Sequence, residues 1–151
     1  MSVATQKERI AAICELITDV TTAFASAPRG ITNADLVAVV MLTGEAQREQ
    51  EDNMLNVYRL YRLALLVKPW VQGIELEAEE ACEPFFERFE DAFFTRPSLQ
   101  LADNTTPLAG VQNSLFEGDT GVTNIELGGK GYAGVIFNLN VHSIRVITRG
   151  Q

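Results

Sequence analysis

"LNVYRLYRLALLV", residues 55–67, decides the fold, because it fits two secondary structures with different consequences. As a strand it places Tyr58, Leu60, Arg62, Ala64 and Leu66 on one face, with Arg59, Tyr61, Leu63, Leu65 and Val67 on the other. As a helix it is also amphipathic, since Leu55, Leu63 and Leu66 fall near one side. Val57, Tyr58, Tyr61 and Val67 are β-branched or aromatic and favour the strand. Upstream, "ADLVAVVML" (34–42) is a Val-rich run, short for a helix and closed by Gly44. The two runs therefore read as a hairpin. Between them "TGEAQREQEDN" carries no core-forming residues and reads as a long polar loop.

On either side of the hairpin lies a helical pattern. At the N-terminus Thr5 and Glu8 form a capping-box pair. Ile10, Ile13, Cys14, Ile17, Val20 and Phe24 then recur at spacings of three and four, which predicts a helix of about five turns ended by "SAPRG". After the hairpin, residues 73–97 put Ile74, Ala78, Ala81, Cys82, Phe85, Phe89, Ala92 and Phe93 on one face. Pro84 lies inside this pattern and should kink the helix or start a second one, and Pro97 ends it.

After the connection "PSLQLADNTTPLAG" the texture alternates and is rich in Val and Ile. Gly118-Asp119-Thr120-Gly121 and Gly128-Gly129-Lys130-Gly131 read as turns between three antiparallel strands. In the last strand Val135, Phe137, Leu139 and Val141 share a face, with Ile136, Asn138, Asn140 and His142 opposite. The fold class is α+β, an antiparallel sheet (the hairpin plus a C-terminal meander) with two helices packed on one face. With 151 residues, 46% of them hydrophobic, residues 1–151 are expected to form a single domain.

"GGKGYAG" (128–134) matches G-x-G-x-x-G, the dinucleotide fingerprint. That fingerprint needs a strand before it and a helix after it, whose N-terminus holds the pyrophosphate. Here "VIFNLNV" follows, which is not helical, so the glycines are read as a turn and no nucleotide cofactor is expected. Catalytic candidates are equally scarce. His142 is the sole histidine, which excludes a His-rich metal site, and no serine lies in a G-x-S-x-G context. EF-hand spacing is missing, and so many carboxylates line residues 75–91 that pairing any two for acid–base work is arbitrary. The chain is read as a non-enzyme without cofactor or metal.

Charge and cysteines bound its setting. Net charge is −8 and the pI is about 4.6, so a large basic face for gripping DNA phosphates is excluded. Glu75, Glu77, Glu79, Glu80, Glu83, Glu87, Glu90 and Asp91 face only Arg88 in their stretch. This is either a solvated helix face or a surface that repels a polyanion or meets a basic partner. Cys14 and Cys82 sit at helical spacing among apolar residues and read as buried free thiols. No segment approaches the roughly 20 apolar residues of a membrane span, and the N-terminus lacks a secretory h-region. A soluble intracellular protein is expected.

Three features point towards assembly. The polar loop is long, and such loops are often functional. Tyr58, Arg59, Tyr61 and Arg62 are residue types enriched at interfaces, although a central strand half covered by helices accounts for them as well. The final strand is long enough to offer an edge for pairing with another subunit.

The segments "DLVAVVMLTGEAQREQ", "VYRLYRLALLVKPW", "EPFFERFEDAFFTRPSL" and "GYAGVIFNLNV", in this order, resemble the tail-terminator (tail-completion) proteins of long-tailed bacteriophages. The resemblance spans about residues 35–142. It implies a small α+β virion subunit that forms a six-fold ring on the tail tube and stops its growth. Such a ring meets the tail tube protein on one side and head-completion proteins on the other, while DNA passes through its centre without specific binding. Negative charge facing such a lumen lets the duplex slide. Glu45, Glu49, Glu51 and Asp52 in the polar loop are the first lumen candidates, and the acids of 75–91 are the second. The alternatives are another neck or tail-tube subunit, or a small ligand-binding or enzyme domain.

Overall fold

A computed structural model describes residues 3–100 and 108–146. Residues 55–67 are strand. They lie within β3 (Met54–Pro69), the middle of a six-stranded sheet, paired antiparallel on one side with β2 (Ala38–Glu51) and on the other with β6 (Lys130–Val146). The remaining strands are β1 (Thr22–Phe24), β4 (Val111–Asp119) and β5 (Thr123–Leu127). The order is β1-β2-β3-β6-β4, with β5 also on β6, and only the β1–β2 pair is parallel. The helices α1 (Val3–Glu15) and α2 (Glu75–Phe94) both lie on one face of the sheet. The fold is α+β with an open sheet.

The pleat carries the core. Leu63 and Leu65 of β3, with Val135, Phe137, Leu139 and Val141 of β6, face the helices and meet Ile10, Ile13, Cys14, Cys82, Phe85, Phe89 and Phe93. Phe89 stacks on Phe137 at 4.7 Å between ring centroids. Each such side chain contributes about 1.5–3 kcal/mol by leaving water. On the opposite face a smaller cluster of Ile31, Ala38, Val40, Ala64, Leu66, Ile125 and Tyr132 closes one end only. Ile31 and Leu36, from the segment between β1 and β2, lie over that end, where Tyr132 Oη donates to Ile31 O at 3.3 Å.

Several expectations need correction. The first helix starts at Val3, so Thr5 is inside it and is not the cap. It ends at Glu15, well short of Phe24, because Asp19 adopts φ 72° and turns the chain into β1. Arg88 holds that turn through Thr18 O (3.3 Å) and Asp19 Oδ2 (3.0 Å). Ile17 stays in the core and Val20 packs against it, so the apolar spacing outlives the helix that it suggested. Pro84 neither ends nor divides α2, since it sits on the exposed face, where the Glu80 carbonyl it leaves without an amide partner can reach water.

Gly118–Gly121 does not reverse the chain. β4 and β5 lie end to end along the same side of β6, pairing with Phe137–Ser143 and Lys130–Gly134 respectively, so the C-terminal strands do not form a simple meander. Thr120 keeps contact across the gap, its N–H donating to Ile136 O at 3.1 Å. The Gly128-Gly129 turn is real. Leu127 pairs with Lys130, and both glycines have positive φ (61° and 80°), as a tight two-residue hairpin turn requires. The connection 97–110 falls partly on residues 101–107, outside the described residues.

Candidate functional site

The largest departure from the sequence reading is at residues 44–51. They form the distal half of β2, which continues in register with β3 until Glu51 pairs with Met54. Only Asp52 and Asn53 remain as a turn, with Asp52 at φ 54°. The register slips once, between Thr43 and Ala46, where one extra residue in β2 makes a bulge at Gly44-Glu45. Both arginines of "YRLYR" hold it. Arg59 Nη1 donates to Gly44 O at 3.2 Å, and Arg62 Nη2 pairs with Glu45 Oε2 at 3.2 Å. The Glu45 carboxyl lies below its ordinary range, first through a hydrogen bond to its own backbone and then through the Arg62 charge.

The bulge decides which side chains reach which face. Beyond it Ala46, Arg48 and Gln50 join the helix side, while Gln47, Glu49 and Glu51 join Glu45 on the other. That second face is uncovered along the distal half of the sheet. Tyr58 and His142 are direct cross-strand partners there, stacked at 4.3 Å with planes 11° apart. His142 Nε2 is 2.9 Å from Asn56 Oδ1. Gln47, Asn140, Leu115 and Glu117 border the pair, and Leu115 is 62% exposed. The face is thus polar at its strands and apolar at one rim.

The four interface candidates divide between the two faces. Tyr58 and Arg62 lie on the open face, whereas Arg59 and Tyr61 point under α1. Tyr61 is fully buried, and its hydroxyl donates to Gln6 Oε1. Burial pushes its phenol up to about 12, against the opposing pull of Arg59. The four acidic candidates are also brought into order. Glu45, Glu49 and Glu51 follow the open side of β2, and Asp52 stands in the turn at its tip. Sequence reasoning set His142 aside as the sole histidine, unable to build a His-rich metal site. Its stack with Tyr58 spans 84 positions in the chain and leaves no local signal.

The sheet's edges differ from expectation as well. β6 is occupied on both sides, by β3 and by β4 with β5, so among the described residues the final strand offers no edge. β1 covers β2 only at Ala38–Val40, which leaves the outer side of β2 from Met41 to Glu51 unpaired among the described residues. The outer side of β4, continued by β5, is the other edge among the described residues. Beside it runs an apolar groove of about 480 Å³ between Phe93, Phe94 and Pro97 of the α2 end and Asn113–Phe116, with Phe94 85% exposed.

Among the described residues no group of three or more His, Cys, Asp or Glu is placed to hold a metal ion. None of the described helices is long and apolar enough to cross a membrane. No family model matches the chain, and no curated protein matches it.

Proposed function

We propose that the chain is a structural subunit of a long-tailed phage virion, a tail terminator whose copies form a ring on the end of the tail tube. The ring joins the tube to the head-completion proteins and lets DNA pass through its centre. The observation that carries this reading is the sheet, with both helices on one face, an opposite face open along its distal half and, among the described residues, unpaired edges at β2 and β4. Unpaired edges and an uncovered face are what a neighbouring copy would close. Because the β2 edge and the β4 edge are different surfaces, joining one to the other is a head-to-tail contact, and such contacts form a ring where the rotation between copies closes.

The row Glu45, Glu49, Glu51 and Asp52 adds to this reading. A line of carboxylates along an outer strand repels a duplex and keeps it sliding when it faces a lumen. The test is native mass over a range of protein concentrations. Six copies of the 16.6 kDa chain give about 100 kDa for a closed ring. A species of that mass supports the terminator reading. A protein that stays monomeric at every concentration and does not bind purified tube ends overturns it.

A further inference from the structure

The helix side of the distal sheet carries a group of cations that the ring reading does not use. A pocket of about 240 Å³ lies between the first turns of α1 and strands β2, β3 and β6. Arg48, Arg59 and Arg145 line it, together with Val57, Ser143 and Gln6. The register explains the convergence. Arg48 is opposite Val57 and Val57 opposite Ser143; on the same face Arg59 lies two residues to one side of that row and Arg145 two residues to the other, so they line the pocket from its two ends.

Three of only 12 lysines and arginines therefore meet in a protein of net charge −8. Among the described residues no carboxylate lines the pocket, and the ion pairs found among those residues use Arg62, Lys68 and Arg88 instead. Like charges gathered without a counter-charge repel one another, which calls for an anion between them. Arg59 is fixed by its bond to Gly44 O, yet its Nε is buried and has no hydrogen-bond partner. Tyr61 fixes Gln6 in the wall. Arg48 and Arg145 are exposed at the rim.

We infer that this pocket binds a phosphoryl group. A guanidinium offers a planar fork of donors, and one or two forks satisfy a carboxylate. Three forks match the three or more oxygens of a phosphate. The N-terminal turn of α1, with Val3 in the wall, adds the positive end of a helix dipole to a site that the arginines already define. At a liquid volume of about 30 Å³ per water, the space suits one phosphate group with a few waters better than a whole nucleotide. Free phosphate and a nucleic-acid backbone share this chemistry. The whole pocket belongs to one copy, so it stands or falls separately from the ring.

The test titrates the full-length protein with inorganic phosphate, then pyrophosphate, at constant ionic strength, reading the melting temperature and the heat of binding. The wild type is compared with an Arg48→Ala/Arg145→Ala double variant, whose folding is checked by its melting temperature in chloride alone. Phosphate should raise the wild-type midpoint where chloride does not, and the double variant should need at least tenfold more of it. An equal shift with chloride, or equal phosphate affinity in the folded double variant, overturns the site. Should the variant fail to fold, Arg145→Gln alone carries the same comparison. A second arm adds short duplex DNA to phosphate-saturated protein. Mutual displacement assigns the group to a nucleic-acid backbone, and phosphate binding without competition assigns it to a free anion.

Discussion

Arg59 and Arg62 stand on opposite faces of β3 and grip the same bulge of β2, one through the carbonyl of Gly44 and the other through the carboxylate of Glu45. The bulge is the point where β2 changes which residues it shows to which face. Without it Glu45, Gln47 and Glu49 could not share the open face, because a one-residue slip exchanges every side chain. The two arginines therefore fix the pattern of the distal sheet.

Their contributions to stability should differ. Arg59 makes a charge-assisted bond in a part-buried position, and Arg59→Met should cost about 1–3 kcal/mol by leaving Gly44 O unpaired. Arg62 and Glu45 are 38% and 76% exposed, so Arg62→Met should cost less than about 1 kcal/mol. Urea unfolding of the two variants decides, and equal losses would remove the distinction.

Gly134 should tolerate nothing larger. A Cβ built there would fall on the carbonyl oxygen of Leu65, beside the register shift near one end of the β3–β6 ladder. Backbone cannot yield as a side-chain tip does, so Gly134→Ala should cost about 3 kcal/mol or more, or abolish soluble expression. A denaturation midpoint within error of wild type would show that the strands part easily at this point.

Much of this core could be read from sequence, and the reason is local. β6 alternates cleanly from Val135 to Val141, and α2 repeats at helical spacing, because each buries one face there. The distal half of β2 could not be read that way. Its helix-side residues Arg48 and Gln50 are no more apolar than Gln47 and Glu49 opposite, so β3 imposes the strand through hydrogen bonding. The mirror case is α1, where Ile17, Val20 and Phe24 keep a helical spacing after the helix has stopped. The phosphoryl pocket was equally hidden, since Arg48, Arg59 and Arg145 meet only once three strands are in register.

Alkaline pH should expose the Tyr61–Gln6 contact. The folded phenol titrates at about 12, above its ordinary value of 10.0, so the folded state holds the proton more tightly than the unfolded one. That stability is complete below pH 10 and is lost as pH rises towards 12. Cys82, raised to about 11, and Cys14, raised by burial, act in the same direction. Tyr61→Phe should cost about 1–3 kcal/mol at pH 8, because Gln6 Oε1 loses its donor. The gap between wild type and variant should then narrow between pH 10 and 12. A gap independent of pH would locate the titration elsewhere.

The two thiols should be silent in the folded protein. Cys14 and Cys82 are free and fully buried against the sheet, and burial holds both as neutral thiols. A chromogenic disulfide reagent at pH 8 should label neither within an hour, and both on addition of urea. Rapid labelling without denaturant would mean that α1 or α2 opens from the sheet.

The open face and its acidic row should separate in their effects on assembly. Tyr58 and Leu115 supply the aromatic and apolar surface there, and a neighbouring copy that closes the face must cover them. Tyr58→Ala with Leu115→Ser should therefore shift the native mass towards the monomer by at least tenfold in concentration. Glu49→Gln, Glu51→Gln and Asp52→Asn together remove three carboxylates that a lumen needs for repulsion and that a dry contact does not. This second variant should keep the ring mass and slow DNA passage in reconstituted particles. Loss of the ring in the second variant, with the first assembling normally, would place the acids in the subunit contact and turn the open face towards solvent.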